Sequence, residues 1–190
     1  MYEIILGIVV FISIILFIFV VIDNHFKLTI IKIEKACEDI SLYLEKKKDL
    51  LSRTRPIVKK ELKLEEYMEE LDIPFDNYNN FELYDILKTI YNELFKTLDE
   101  NEKLMKSDTL LSILDELNTN EENIIGSVKF YNDTVVEYNK LVVSFPSNLI
   151  AFIKRYKKKN FYNNEKREIF NILNVLFILF FYCIPFLFLI

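Results

Sequence analysis

Two glycines in 190 residues, Gly7 and Gly126, set the first constraint. A dinucleotide-binding turn, a phosphate-cradling loop or an all-β sandwich needs more, because glycine supplies the positive-φ positions those structures depend on. Four prolines are too few for a proline-rich linker. Long helices are the default that remains. There is one histidine, His25, and no Cys-x-x-Cys pair, which argues against a metal site. The two cysteines are Cys37, in a helical pattern, and Cys183, in a hydrophobic run, so no disulfide is expected.

What the chain does have is segregated apolar and charged sequence. Apolar residues make up 52% and charged residues 28%, with a net charge of −5. The two ends are nearly uncharged and the middle is densely charged. Removing the ends leaves roughly 145 residues, enough for one domain around one core. Ile4 to Ile22 is a run of nineteen residues without a charge. That length crosses a hydrocarbon core of about 30 Å. A secretory signal peptide is the competing reading. It requires a basic n-region and a small-residue cleavage site, whereas this run follows Met1-Tyr2-Glu3 and ends in Phe19-Val20-Val21-Ile22. A second uncharged run, Ile169 to Ile190, is apolar, Tyr or Pro throughout from Val175 onward. With no polar face it reads as a second membrane segment.

Lysine and arginine counts set an orientation. None precedes the first run, and Lys27, Lys32 and Lys35 follow it. Lys154, Arg155, Lys157, Lys158, Lys159, Lys166 and Arg167 precede the second run, and nothing basic follows it. Both biases place the middle of the chain in the cytoplasm and both termini outside.

The middle is helical by period. From Asp108 to Phe145, with Ser107 or Asp108 as N-cap, the positions Leu110, Leu114, Leu117, Glu121, Ile124, Val128, Tyr131, Val135, Tyr138, Val142 and Phe145 alternate four and three apart. Only Glu121 interrupts this apolar seam. Such spacing belongs to a helix packed lengthwise on partners. Pro146 ends it. A second helical stretch runs from about Lys27 to Leu71, with a seam including Ile30, Ile33, Cys37, Ile40, Leu44, Leu51, Val58, Leu64, Met68 and Leu71. A third runs from about Asn80 to Asn101, after a turn at Asp72–Asn77. If both ends enter one membrane, the chain must rise and return. An even number of helices allows this, most simply with a reversal near Ser52–Pro56. The alternative makes residues 147–168 the descending fourth element, about 33 Å long if helical.

These segments resemble one known family. Leu117-Asn118-Thr119-Asn120-Glu121-Glu122-Asn123-Ile124, then Tyr131-Asn132-Asp133-x-Val135-x-x-Tyr138-Asn139, then Phe145-Pro146-Ser147-Asn148-x-x-Ala151 is similar to the ending of LemA proteins. Ile40-x-x-x-Leu44-x-Lys46-Lys47-x-Asp49-Leu50 and Ser107-Asp108-x-Leu110-Leu111-x-Ile113 resemble earlier LemA segments. The proline that the family places near Ser52 is absent, its Ala-Arg pair is here Ser127-Val128, and the last hydrophobic run is not part of the usual pattern. The resemblance implies a bacterial, membrane-tethered four-helix domain and supplies no activity.

Candidate sites follow from the same residues. Tyr131, Asn132, Tyr138 and Asn139 form two Tyr-Asn pairs seven residues apart. They admit a structural reading, with buried rings and register-fixing amides, and a functional one, as a surface for a partner helix. Lys154, Arg155, Lys157, Lys158 and Lys159, interleaved with Phe152, Ile153, Tyr156, Phe161 and Tyr162, suit contact with anionic lipid or a topology signal better than nucleic acid, given the acidic, tethered chain. Lys46-Lys47-Lys48-Asp49 reads as a solvated helix face. His25 and the carboxylate pairs Glu65-Glu66, Glu69-Glu70 and Glu121-Glu122 form no catalytic constellation.

The expectation is an all-α chain: a membrane-anchored, antiparallel, up-and-down four-helix bundle of the LemA type. Its parts are a transmembrane helix at 1–26, a bundle at 27–151, a basic amphipathic segment at 152–168 and a second transmembrane helix at 169–190. The expected role is a non-enzymatic scaffold that needs no cofactor, metal, nucleic acid or small-molecule substrate. Its partners are the bilayer and another protein or a second copy. The alternative is a membrane-organising protein acting through its two anchors and basic segment.

Overall fold

The computed structural model describes residues 2–74 and 78–162. The expected second membrane segment therefore lies outside the described residues. Among these there are four α-helices and no strand: α1 (Tyr2–Leu62), α2 (Asn80–Glu100), α3 (Asp108–Val143) and α4 (Ser147–Lys154). The chain divides into two compact units, one of Ile31–Tyr131 and one of Met1–Ile30 with the chain from Asn132 onward.

In the first unit, α1, α2 and α3 pack through seams of the expected kind. On α1, Ile33, Ala36, Ile40, Leu44, Lys47, Leu51, Thr54 and Val58 are buried at spacings of three and four. Tyr84, Leu87, Ile90, Leu94 and Leu98 answer on α2, and Leu110, Leu114, Leu117, Ile124, Val128 and Tyr131 on α3. Each fully buried Leu or Ile contributes about 1.5–3 kcal/mol relative to exposure. The helix starts are capped. The Asn79 side chain accepts the Phe81 and Glu82 N–H groups at 3.0 and 3.1 Å, and Glu82 accepts the Asn79 N–H at 3.1 Å, a reciprocal capping box. Ser107 Oγ accepts the Leu110 N–H at the start of α3.

No break occurs at Ser52–Pro56, and α1 runs through Pro56 to Leu62. Proline costs one backbone bond, but Leu51, Thr54 and Val58 around it are fully buried, and their packing holds the helix. Nor does the helix continue to Leu71. Lys63 takes a left-handed φ of 54° and the Leu64 N–H bonds back to the Lys59 carbonyl at 3.1 Å, a C-terminal closure. Leu64 is exposed, while Met68 and Leu71 are buried around a short 3₁₀ turn at Glu69–Asp72.

Side-chain contacts give the directions. Asn80 Nδ2 donates to the Cys37 carbonyl at 3.4 Å, and Lys47 lies 4.5 Å from the Tyr91 ring centre, so α1 and α2 run parallel. The chain after Leu62 returns alongside α1, where Arg55 holds Asp72 with two bonds of 2.6 and 2.7 Å. The α3 helix runs opposite to both: Phe81 meets Tyr131 edge-on at 6.1 Å, and Tyr91 Oη donates to Asn118 at 3.2 Å. Reversal is thus achieved by an irregular segment in place of a second bundle helix, and consecutive helices α1 and α2 are not antiparallel.

In the second unit, α4 has only eight residues, and the described chain after it, to Tyr162, is not helical, so the expected fourth element is cut short at Lys154. It ends at Arg155, with φ 58°, and the Tyr156 N–H closes onto the Ala151 carbonyl at 2.9 Å. Ser147 Oγ donates toward the Leu141 and Ser144 carbonyls at 2.6 and 2.8 Å, which pins the α3–α4 corner. The α3 seam stays buried through Tyr138 but fails at Phe145, whose side chain is 80% exposed. The α3 helix stops at Val143, so the 4-3 rule no longer governs that position.

Candidate functional site

The Tyr-Asn pairs are buried by the chain itself. Tyr131 packs edge-on against Phe81, and burial pushes its phenol up to about 12. In the other unit, Tyr138 meets Phe26 edge-on at 5.9 Å. Asn132 and Asn139 are buried and bond to the irregular segment Tyr156–Tyr162. Asn139 Nδ2 donates to the Lys159 carbonyl at 2.9 Å while its Oδ1 accepts the Lys159 N–H at 2.8 Å. Asn132 Oδ1 accepts the Tyr162 N–H at 3.0 Å. An amide side chain offers both a donor and an acceptor, which is what the backbone C=O and N–H of one residue require. Of the two readings of Tyr131, Asn132, Tyr138 and Asn139, this burial supports the structural one. Their side chains are filled from within, and the amides hold a strap of the same chain.

This geometry makes a direct prediction. Asn139→Ala removes both bonds to Lys159 and leaves two backbone groups unpaired, at a cost of about 1–3 kcal/mol. Hydrogen exchange at the Lys159 amide should accelerate by roughly ten- to a hundred-fold, while amides of α2 are unchanged. Unchanged exchange at Lys159 would show that the amide does not hold the strap.

The basic residues separate into different environments. Arg155, Lys157 and Lys158 are exposed, but Lys154 reaches Asp23 at 3.8 Å. The Lys159 backbone is fixed by Asn139 and its ammonium lies 5.9 Å from the Tyr138 ring centre. Lys159 is therefore part of the packing rather than an open lipid contact. Asp23 also pairs with Lys27 at 2.8 Å, and His25 Nε2 lies 3.0 Å from Glu137. The sequence offered no sign of that partner, which is 112 residues away.

Lys47 overturns the reading of Lys46–Asp49 as a solvated face. Its side chain is 1% exposed and pairs with Glu121 at 2.6 Å, above the Tyr91 ring. Burial pulls the ammonium below its ordinary range, and the bond to Glu121 restores part of that loss. Glu121, the one interruption of the α3 seam, is thus matched by a charge at a seam position of α1. Lys47 falls between Leu44 and Leu51 at spacings of three and four, and that register was the available signal. Beside them, Asn120 Nδ2 donates to the Tyr43 carbonyl at 3.0 Å.

An open groove of about 520 Å³ lies where Pro56, Lys60 and Glu61 face Lys103, Lys106 and Ser107. Among the described residues no three His, Cys, Asp or Glu side chains gather closely enough to hold a metal ion.

The sequence model of the LemA family matches residues 76–177, which is 102 of 190 residues and just over half of the chain. The chain belongs to the LemA family. That match takes in α2, α3, α4 and the strap, so the Tyr-Asn pairs and the segment they hold lie together inside the family region. The stretch Ile40–Leu50, similar by eye to a LemA segment, lies outside it. No curated protein matches this LemA-family chain.

Proposed function

We propose that this chain is a membrane-anchored LemA-type scaffold, without catalytic activity, that holds its helices on the cytoplasmic side of the cell membrane with both termini outside. One observation carries the reading. The apolar run Ile4–Ile22 forms the start of α1, long and apolar enough to cross a bilayer, and none of its most apolar stretch is covered by the chain. A core helix of a soluble protein would be buried. A cleaved leader would not share an uninterrupted helix with Phe26, which is fully buried against Tyr138 and Tyr156. Lipid is the solvent that such a surface requires. Sidedness rests on the lysine and arginine bias. With the Tyr-Asn seam closed from within, exposed Leu42 on α1 and Ile125 and Phe130 on α3 are accessible material for a protein partner or a second copy.

A second reading, a membrane-organising protein, is favoured by the exposed Arg155, Lys157 and Lys158 beside apolar α4. Gentle detergent extraction separates the two. A scaffold should co-purify with a stoichiometric partner or as a defined oligomer. A membrane organiser should purify as a lone monomer and deform protein-free anionic vesicles. A turnover of substrate by the purified chain would overturn both.

A further inference from the structure

The outer face of α4 is exposed. Ser147, Ile150 and Ala151 are buried and hold the helix to its unit. The opposite face carries Leu149, Phe152 and Ile153, whose exposures are 55, 87 and 64%, and Phe145, 80% exposed, lies in the corner just before the helix. Phe152 and Ile153 stand three and four residues after Leu149, which is one stripe of a helix. Four large apolar side chains clustered on the outside of an otherwise charged domain mark an interaction surface.

Its place in the unit indicates what covers it. Lys154, the last residue of α4, lies 3.8 Å from the carboxylate of Asp23, the first charged residue after the run ending at Ile22. Tyr156 packs on Phe26 with ring centres 4.9 Å apart. Asp23 and Phe26 lie one and four residues past Ile22, so at 1.5 Å of rise per residue the end of α4 and Tyr156 just beyond it touch α1 about one helical turn or less from the point where the apolar run ends. Exposed Arg155, Lys157 and Lys158 follow directly, a cationic edge suited to anionic headgroups. Aromatic and aliphatic side chains beside a basic edge are the composition of a helix lying in the membrane interface. A protein partner would have no reason to require that level or that charge.

We infer that the Leu149, Phe152 and Ile153 face of α4, with Phe145 just before it, is a second membrane-binding site, seated in the headgroup region of an anionic bilayer beside the exit of α1. This rests on the anchoring of α1 proposed above. It goes further in giving the unit that contains α4 an interfacial contact of its own beside the anchor.

The chain contains no tryptophan, so a single introduced indole reports alone. Three full-length variants, Phe152→Trp, Phe17→Trp in the apolar run and Lys46→Trp on the exposed face of α1, would be reconstituted separately into phosphatidylglycerol–phosphatidylcholine vesicles. Half of each preparation would carry bromine on the lipid acyl chains. The Phe152→Trp indole is expected to emit at shorter wavelength than the Lys46→Trp indole and to lose roughly half its emission to bromine, since an interfacial face lies about 5–10 Å into the headgroup and acyl boundary. Raising the phosphatidylglycerol content should increase that loss. Quenching of Phe17→Trp without quenching of Phe152→Trp leaves the anchor standing and overturns the second site. No quenching of Phe17→Trp removes the anchor itself. A shifted but unquenched Phe152→Trp assigns the face to protein, a second copy included, and overturns the lipid assignment. Leu149→Trp repeats the measurement on the same face if Phe152→Trp gives no folded protein.

Discussion

Lys47→Met is expected to destabilise the helical domain by about 3–5 kcal/mol, because it leaves the Glu121 carboxylate in a nearly closed interior without its counter-charge. In this chain the pair is 2.6 Å apart, with side chains 1% and 15% exposed, so water replaces little of what is lost. For a domain of this size the midpoint of thermal unfolding in detergent should fall by roughly 10 °C. Glu121→Leu alone leaves a buried ammonium and should cost a similar amount. The double variant Lys47→Met with Glu121→Leu is the informative one. Removing both charges also removes both desolvation costs, so it should recover most of the loss and match or exceed the parent. Circular dichroism melts of the four chains give the coupling directly. A double variant as unstable as the sum of the singles would show that the pair does more than cancel its own burial. Family members carrying two apolar residues at these positions would pack equally well by the same argument. The charges meet only when α1 and α3 are aligned at this one position, so the pair is expected to favour that register over its neighbours.

Phe26→Ala carries the second large effect. Phe26 is fully buried, edge-on to Tyr138 and tilted over Tyr156, four residues past the end of the apolar run. Truncating a buried phenylalanine costs about 3–5 kcal/mol through lost burial and the cavity left behind. The loss should appear locally as well as globally. Tyr156 begins the strap that Asn139 and Asn132 hold, so exchange at Lys159 and Tyr162 should rise together in the Phe26→Ala chain. Leu28→Ala, two residues on and exposed, should leave both the melt and the strap unchanged. Equal effects from the two substitutions would contradict the assignment of Phe26 to the unit's core.

Much of this architecture was legible in the sequence, and the misreadings have specific causes. The α2 and α3 boundaries fell close to expectation because Asn79, Glu82 and Ser107 cap them through local bonds that sequence spacing encodes. Pro56 misled for the opposite reason. Its local cost is real, but the burial of Leu51, Thr54 and Val58 depends on distant helices that no short window contains. Leu64, Met68 and Leu71 keep helical spacing, yet left-handed residues at Lys63 and Met68 break the backbone between them. Lys47 was misread because a run of three lysines suggests solvent; only the heptad register, set against the single acidic interruption at Glu121, reveals a buried charge. The Tyr-Asn pairs were seen as distinctive, and their partner was not. Asn139 and Lys159 are 20 residues apart, and nothing in an irregular segment announces where it returns. Phe145 marks the limit of periodicity, since its seam position has meaning only while the helix lasts.

The proposal that α1 crosses the bilayer with the helical domain in the cytoplasm is tested most directly by accessibility. A single cysteine would be placed at exposed Lys46 in a full-length chain carrying Cys37→Ala and Cys183→Ala, and intact and lysed cells treated with a membrane-impermeant maleimide. Labelling only after lysis, with the protein in the membrane fraction, is the expected result. Labelling of intact cells would put the domain outside and contradict the orientation drawn from the lysine and arginine bias.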